Sequence, residues 1–262
     1  MAKLYKYLYA CGLLLMSLSV SGQFRQSTKG IKPFNPGEQI FYTFKVGPIT
    51  GGEGSLILRQ TTNGNKVVFH AVAEGKTIGL TDKLFNVTDI YESYFDLNTL
   101  LPEKTIRNIT EGKYKRYQEA FFDHEAGTAY SARLDSVIKT PEGILDMVSV
   151  LYYIRALDYE TIKPGDVIHT MTLFDDELFP FEIRYKGKEV VKTKFGKIRC
   201  LRFDPIVEPG RIFNSEDDMS IWLSDDRNMI PIKVRFDLII ISLKIELDQY
   251  MNLKYPLMFT IN

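Results

Sequence analysis

Short runs of alternating apolar and polar residues recur through most of the chain, and nearly every run is closed by a turn signal. Residues 40–46 alternate and break at Gly47-Pro48. Residues 55–60 and 66–73 flank Thr62-Asn63-Gly64-Asn65, which reads as a hairpin. Further strands are predicted at 90–95, 103–109, 114–122 and 128–133, with turns at 96–98, 111–112 and 125–127. The second half repeats the style at 167–174, 179–185, 189–193, 197–203, 219–223, 231–236 and 241–249. Alternation with a period of two gives each strand one apolar face. Strands at such short spacing argue for one large antiparallel assembly. The segment Gly51-Gly52-Glu53-Gly54 reads as a loop leading into the second strand.

One segment departs from this period. Between residues 145 and 157, apolar residues fall at 147, 148, 150, 151, 154 and 157, with Pro141 before and Pro164-Gly165 after. That spacing predicts a helix with a broad apolar face, packed on the concave side of the sheet. A weaker helical turn is predicted over 77–85, where Ile78, Leu80, Leu84 and Phe85 look half exposed. The expected fold class is therefore mainly β (α+β): a large curved antiparallel sheet or half-open barrel with one packed apolar helix near 145–157. Fifteen Tyr and seventeen Phe favour strands and large core contacts. Residues 37–262 are expected to form a single mostly β domain, preceded by a polar lead-in over 23–36 that is poorly ordered or loosely draped.

The first 22 residues read as a signal peptide. Lys3 and Lys6 precede an apolar run from Leu8 to Val20, and Ser21-Gly22 supplies a small-residue cleavage site before Gln23. The run is shorter than the roughly 20 residues a membrane span needs. A retained anchor is the rival reading. Cys11 lies inside the apolar run, where it cannot serve as a lipidation site. Cleavage near Gly22-Gln23 leaves Cys200 as the sole cysteine, so no intramolecular disulfide forms. The expected location is the periplasm or cell envelope, with no transmembrane anchor after cleavage.

Acidic and basic residues balance at 33 each and are interspersed. No basic stripe points to nucleic acid. The motifs of zinc proteases, redox thiols, phosphate-binding loops and serine hydrolases are missing, so no catalytic residue, metal ligand or cofactor is assigned. His70, His124 and His169 are far apart in sequence and read as structural. The acid pairs Asp175-Asp176, Asp217-Asp218 and Asp225-Asp226 sit at strand ends, where carboxylates cap turns, although paired carboxylates also serve hydrolysis or cation binding. Cys200 reads as a small buried apolar residue rather than a nucleophile. Arg107-Asn108 and residues 114–118 read as a solvated strand face with snorkelling Lys and Arg, or as a basic, aromatic patch suited to a sugar or an anionic head group, with Arg107, Tyr114 and Arg116 as its candidate contacts. With Tyr91, Tyr94, Tyr152, Tyr153 and Trp222 they make up the candidate ligand-binding residues. The sequons at Asn86 and Asn108 read as idle, and Asp135-Ser136-Val137 matches a short O-glycan acceptor pattern.

Several strings, in order, resemble the exported bacterial family called domain of unknown function 3108 (DUF3108). They are Gly37-Glu38, Tyr91-Glu92-Ser93-Tyr94-Phe95-Asp96, Leu100-Leu101-Pro102, Arg107-Asn108-Ile109, Glu111-Gly112, Phe122-Asp123-His124, and the helix from Asp146 to Arg155. Pro164-Gly165-Asp166, Phe174-Asp175-Asp176, Lys194-Phe195-Gly196 and Trp222-Leu223-Ser224-Asp225-Asp226 with Pro231 complete the set. The cleavage region is similar to those of Bacteroidetes-type bacteria. The resemblance implies export and carries no activity. In style the pattern is similar to the curved half-barrels of periplasmic lipoprotein carriers, by fold-level analogy alone.

The expected function is a non-catalytic envelope protein that binds or carries a lipid or other apolar ligand. Two alternatives stand beside it: a structural or assembly factor binding another envelope protein through strand edges, and a hydrolase using an acidic pair. What separates them is whether sheet and helix enclose an open apolar pocket or a packed core.

Overall fold

The computed structural model describes residues 32–206, 215, 218–239 and 242–260. The expected signal peptide and most of the lead-in lie outside the described residues. The first half forms β1 (Gln39–Val46), β2 (Ile49–Asn63), β3 (Lys66–Thr77), α1 (Gly79–Leu84), β4 (Val87–Asp96), β5 (Pro102–Glu111), β6 (Tyr114–Asp123), β7 (Thr128–Ser131) and β8 (Ser136–Lys139). Then come α2 (Ser149–Arg155), β9 (Val167–Phe174), β10 (Glu177–Thr193), β11 (Gly196–Pro205), β12 (Met219–Ser224), β13 (Pro231–Asp237) and β14 (Ser242–Met251).

All fourteen strands join one sheet in the order β8-β7-β6-β5-β4-β3-β2-β1-β14-β13-β12-β11-β10-β9. Each half of the chain is a meander of neighbouring hairpins, and the halves meet where β1 pairs antiparallel with β14. The sheet is not closed by backbone pairing, because β8 and β9 end it on either side. This is the mainly β, curved antiparallel sheet with a packed helix that the alternation predicts.

α2 is shorter than the predicted helix, for a local reason. Leu145 is drawn into the sheet: its N–H donates to the Met171 carbonyl at 2.9 Å and its carbonyl accepts from Leu173 N–H at 2.8 Å. Asp146 then starts the turn. Its Oδ1 accepts from the N–H groups of Val148 and Ser149 at 2.8 and 2.7 Å, and Ser149 Oγ accepts from Asp146 N–H at 2.9 Å. These bonds satisfy donors that a helix start leaves open. One side of α2 buries Val148, Tyr152 and Ala156 against β1–β4 and the far half of the sheet. The other side buries Val150, Ile154 and Leu157 against β9–β12. The helix therefore fills the space between the two limbs as a packed core.

Three other expectations change. Gly51–Gly54 is not a loop but part of β2. The Phe44 ring lies across Gly52, Gly54 and Gly75, and a Cβ on Gly54 would sit 2.5 Å from that ring. The glycines leave room for the ring inside the sheet. The two strands predicted at 179–185 and 189–193 are one long strand, β10, bulged at Gly187 with φ +113°. In the described part of the lead-in, Phe34 is fully buried, edge-on to Tyr152 with centroids 4.9 Å apart. A large apolar ring next to prolines anchors that segment.

Beneath Phe34 lies a buried ion pair. Arg155 Nη1 and Nη2 donate to Glu38 Oε1 and Oε2 at 2.7 and 2.8 Å, and Nη2 also donates to the Asn228 carbonyl at 3.1 Å. Both side chains are wholly buried. The pair ties the start of β1, the end of α2 and the β12–β13 connection together.

Candidate functional site

Antiparallel register sorts side chains into two faces, and the face toward α2 changes character along the strands. Near α2 it is sealed: Ile40, Tyr42, Leu56, Leu58, Phe69, Ala71, Phe95 and Leu247 are buried. Toward the end bearing the β1–β2 and β13–β14 turns, the same face stays apolar but is only half-buried. Phe44, Ile245, Val234 and Ile221 form one cross-strand row, and Leu243 and Phe236 form the next. Between them, pointing the other way, are Lys45, Lys244, Lys233, Arg235 and Ser220. The apolar alternation thus runs past the part that α2 covers, and this row is partly exposed, with Phe44 and Ile245 packed against one core cluster and Ile221 against the other.

The limb β9–β10 is held to β5–β6 by side chains rather than backbone. Its tip is Asp175-Asp176, with φ +55° and +64°, the two left-handed residues a tight hairpin needs. Asp175 pairs with Arg116 and with Arg107 at 3.3 Å. Asp176 is held by Arg133 at 2.6 Å and accepts from Gln118 Nε2 at 2.8 Å. Arg107 lies 4.7 Å from the Phe174 centroid and 6.0 Å from that of Tyr91. The cavity behind this seam is about 30 Å³, with Met147 and Val148 on its wall. That is room for about one water.

Among the predicted ligand-binding residues, Tyr91, Arg107 and Arg116 therefore meet at the seam, and Tyr114 joins them as acceptor of an Arg116 N–H at 3.4 Å. The rest are elsewhere. Tyr94 lies on the opposite face of β4 from Tyr91, stacked on His70 at 4.2 Å and donating to Glu92 at 3.3 Å. Tyr152 has no exposure and is a core residue, since the helix position that makes it apolar-facing also seals it. Tyr153 packs half-buried on the β9–β12 side. Trp222 faces away from α2's β9–β12 contacts, donating to Glu189 at 2.7 Å and flanked by Arg202, Lys233 and Arg235. The eight residues do not form one site. The half-buried row on β1, β12, β13 and β14 was missed, although strict alternation running all the way into the turns is a readable signal for it.

The remaining chemistry is occupied structurally. His70 bonds Glu92 at 2.7 Å, His124 bonds the Pro102 carbonyl at 2.7 Å, and His169 bonds Glu182 at 2.8 Å. Asp225 pairs with Lys188 and Arg199, while Asp226 accepts from Ser224 and from the N–H groups of Asn228, Met229 and Met258. Asp217 lies outside the described residues. Cys200 is buried, and that burial pushes its thiol up to about 12, so no thiolate forms near neutral pH. Burial, reinforced by Glu111, raises Asp89 to about 6. No group of three His, Cys, Asp or Glu among the described residues could hold a metal ion.

The family model for DUF3108, a protein of unknown function, matches residues 41–248. The chain belongs to the DUF3108 family. No curated protein matches it. Among solved structures, the DUF3108 chain is similar to a β-barrel-like DUF1849 protein from Brucella abortus, with TM-score 0.50 and 9% identity over 84% of this chain and 98% of that one. A DUF1089 family protein from Pseudomonas aeruginosa overlaps at TM-score 0.41 and 11% identity, over 70% of this chain and 89% of that one, which is too distant to bear on the argument. The Brucella likeness supports a β-barrel-like fold for the DUF3108 chain and nothing about its activity.

Proposed function

We propose that this DUF3108 protein is an exported, non-catalytic envelope protein that binds a hydrophobic ligand at the partly exposed apolar end of its curled sheet. The observation that carries the reading is the half-buried apolar row Phe44, Ile245, Val234 and Ile221, continued by Leu243 and Phe236. The part of an apolar face left in water is unfavourable by about 25 cal/mol per Å², which a bound acyl chain or other apolar molecule would recover. The packed core around α2 limits such a ligand to the partly exposed end. Export rests on the signal-like first 22 residues. A Bacteroidetes-type source is part of the same proposal.

The test is titration of the purified protein with a fluorescent fatty-acid analogue. Saturable binding is expected, weakened at least tenfold by Val234→Asp or Ile245→Asp in protein that still melts cooperatively. A folded wild type that binds no apolar probe sinks the reading. Assembly by strand addition has weaker support: β9's edge is already engaged by Leu145, and β8 has only four residues.

A further inference from the structure

Three segments at this end of the sheet carry exposed aliphatic side chains. Flanking the Gly47-Pro48 turn, Val46 at the end of β1 is 39% and Ile49 at the start of β2 is 64% exposed. In α1, Leu80 and Leu84 are 72% and 79% exposed, and in the β13–β14 turn Ile239 is 51% exposed. Carboxylates in these tips are internally satisfied. Asp82 accepts from Thr77 at 3.0 Å and Asn86 at 2.6 Å, and Asp237 is held by Arg235 and Ser242, both at 2.8 Å. Lys83, by contrast, is exposed.

Directly behind the tips, on the face away from the core, register sets Lys45 opposite Lys244 and Lys244 opposite Arg235. Like charges directly opposed weaken a sheet. Glu246 offsets Lys45 at 2.8 Å and Asp237 offsets Arg235, while Lys244 has no ion pair among the described residues. Apolar tips backed by a cationic row match the layering of a bilayer surface, where acyl chains lie beneath anionic head groups.

We propose that this end docks on an anionic lipid bilayer, with the tips in the boundary between head groups and acyl chains and with Lys45, Lys244 and Arg235 on lipid phosphates. A bilayer suits the geometry better than a protein partner for two reasons. The tips come from three segments separate in sequence, the β1–β2 connection, α1 and the β13–β14 connection. The strands behind them, β1, β13 and β14, are paired on both sides and offer no edge for strand addition. Val46 and Ile49 continue the Leu243–Phe236 row by register, so docking is separated from ligand binding by the cations, which point the other way: replacing them should weaken docking and leave binding of an apolar probe intact.

The experiment is co-sedimentation of the mature protein with phosphatidylcholine vesicles, with and without phosphatidylglycerol, at low and high salt. The wild type is expected to sediment with the anionic vesicles and to be released by salt. Each cation near such a surface contributes about fivefold in affinity, so the triple variant Lys45→Gln, Lys244→Gln, Arg235→Gln should bind roughly a hundredfold more weakly. Ile49→Asp with Leu84→Asp changes only exposed side chains and should abolish sedimentation without altering the melting temperature. The proposal is overturned if folded wild type stays in the supernatant with every vesicle, or if the Asp variants sediment as the wild type does. It is equally overturned if sedimentation velocity shows that the tips instead form a dimer.

Discussion

Two buried or half-buried carboxylates set the residue-scale expectations. Glu38 and Arg155 are 117 residues apart and wholly buried against each other. Removing one partner strands the other charge away from water, which typically costs about 3–5 kcal/mol. Glu38→Ala and Arg155→Ala should each lower urea-unfolding stability by about that amount, and the double replacement Glu38→Gln, Arg155→Met should lose markedly less. Asp89 behaves differently because burial and Glu111 raise it to about 6 in the folded chain, against an ordinary value of 3.8. The folded state therefore holds its proton more tightly than the unfolded state. Its contribution is full below about pH 4 and is lost as pH rises through about 6. Asp89→Asn should accordingly stabilise the protein at pH 7.5 and be neutral at the acid end, as read from melts at both pH values.

At the scale of elements, the glycines of β2 and the β9–β10 tip are the informative parts. Gly54→Ala would put a methyl group 2.5 Å from the Phe44 ring and 2.8 Å from the Glu74 carbonyl. The expected loss is about 1–3 kcal/mol by overpacking, and Phe44→Leu in the same chain should restore part of it. At the seam, Asp176 is nearly buried and holds Arg133 and Gln118. Asp176→Ala leaves those donors unpaired, for an expected loss of about 1.5–3 kcal/mol. Hydrogen exchange should show protection falling first across residues 167–185, because only side chains hold that limb to β5–β6.

The whole molecule shows why the sequence reveals some of this and hides the rest. Strands were readable because alternation and turn chemistry are local. Asp175-Asp176 was readable as a turn for the same reason, since left-handed φ values favour Asp over most side chains. The seam was not readable, because it depends on how far the sheet curls, which no local pattern encodes. The same holds for Gly37-Glu38 and Arg155: each stood out, but nothing in the sequence says that they pair. Leu145 was misread as helix because an isolated bridge to β9 leaves no periodic trace. Tyr152 looked like a ligand contact because the pattern marks it apolar-facing without saying how deeply the helix sinks. As one continuous sheet, the protein should unfold as a unit. Trp222 is the sole tryptophan and lies in the second half. Its fluorescence and far-UV circular dichroism should therefore give coincident urea transitions, and Leu247→Ala in β14 should shift both equally, by about 2–5 kcal/mol.

The pairing of β1 with β14 has a consequence for the order of assembly. β1 is the first described strand and β14 the last, yet they lie side by side in the middle of the sheet. While the chain is being completed, β1–β8 can zip up from neighbouring hairpins, but one edge of β1 stays bare until β14 arrives. That edge is a template for the wrong strand. If a second molecule's β14 reaches it first, the result is an exchanged dimer with every native strand contact intact. Concentration during refolding, rather than temperature alone, should then decide how much monomer is recovered.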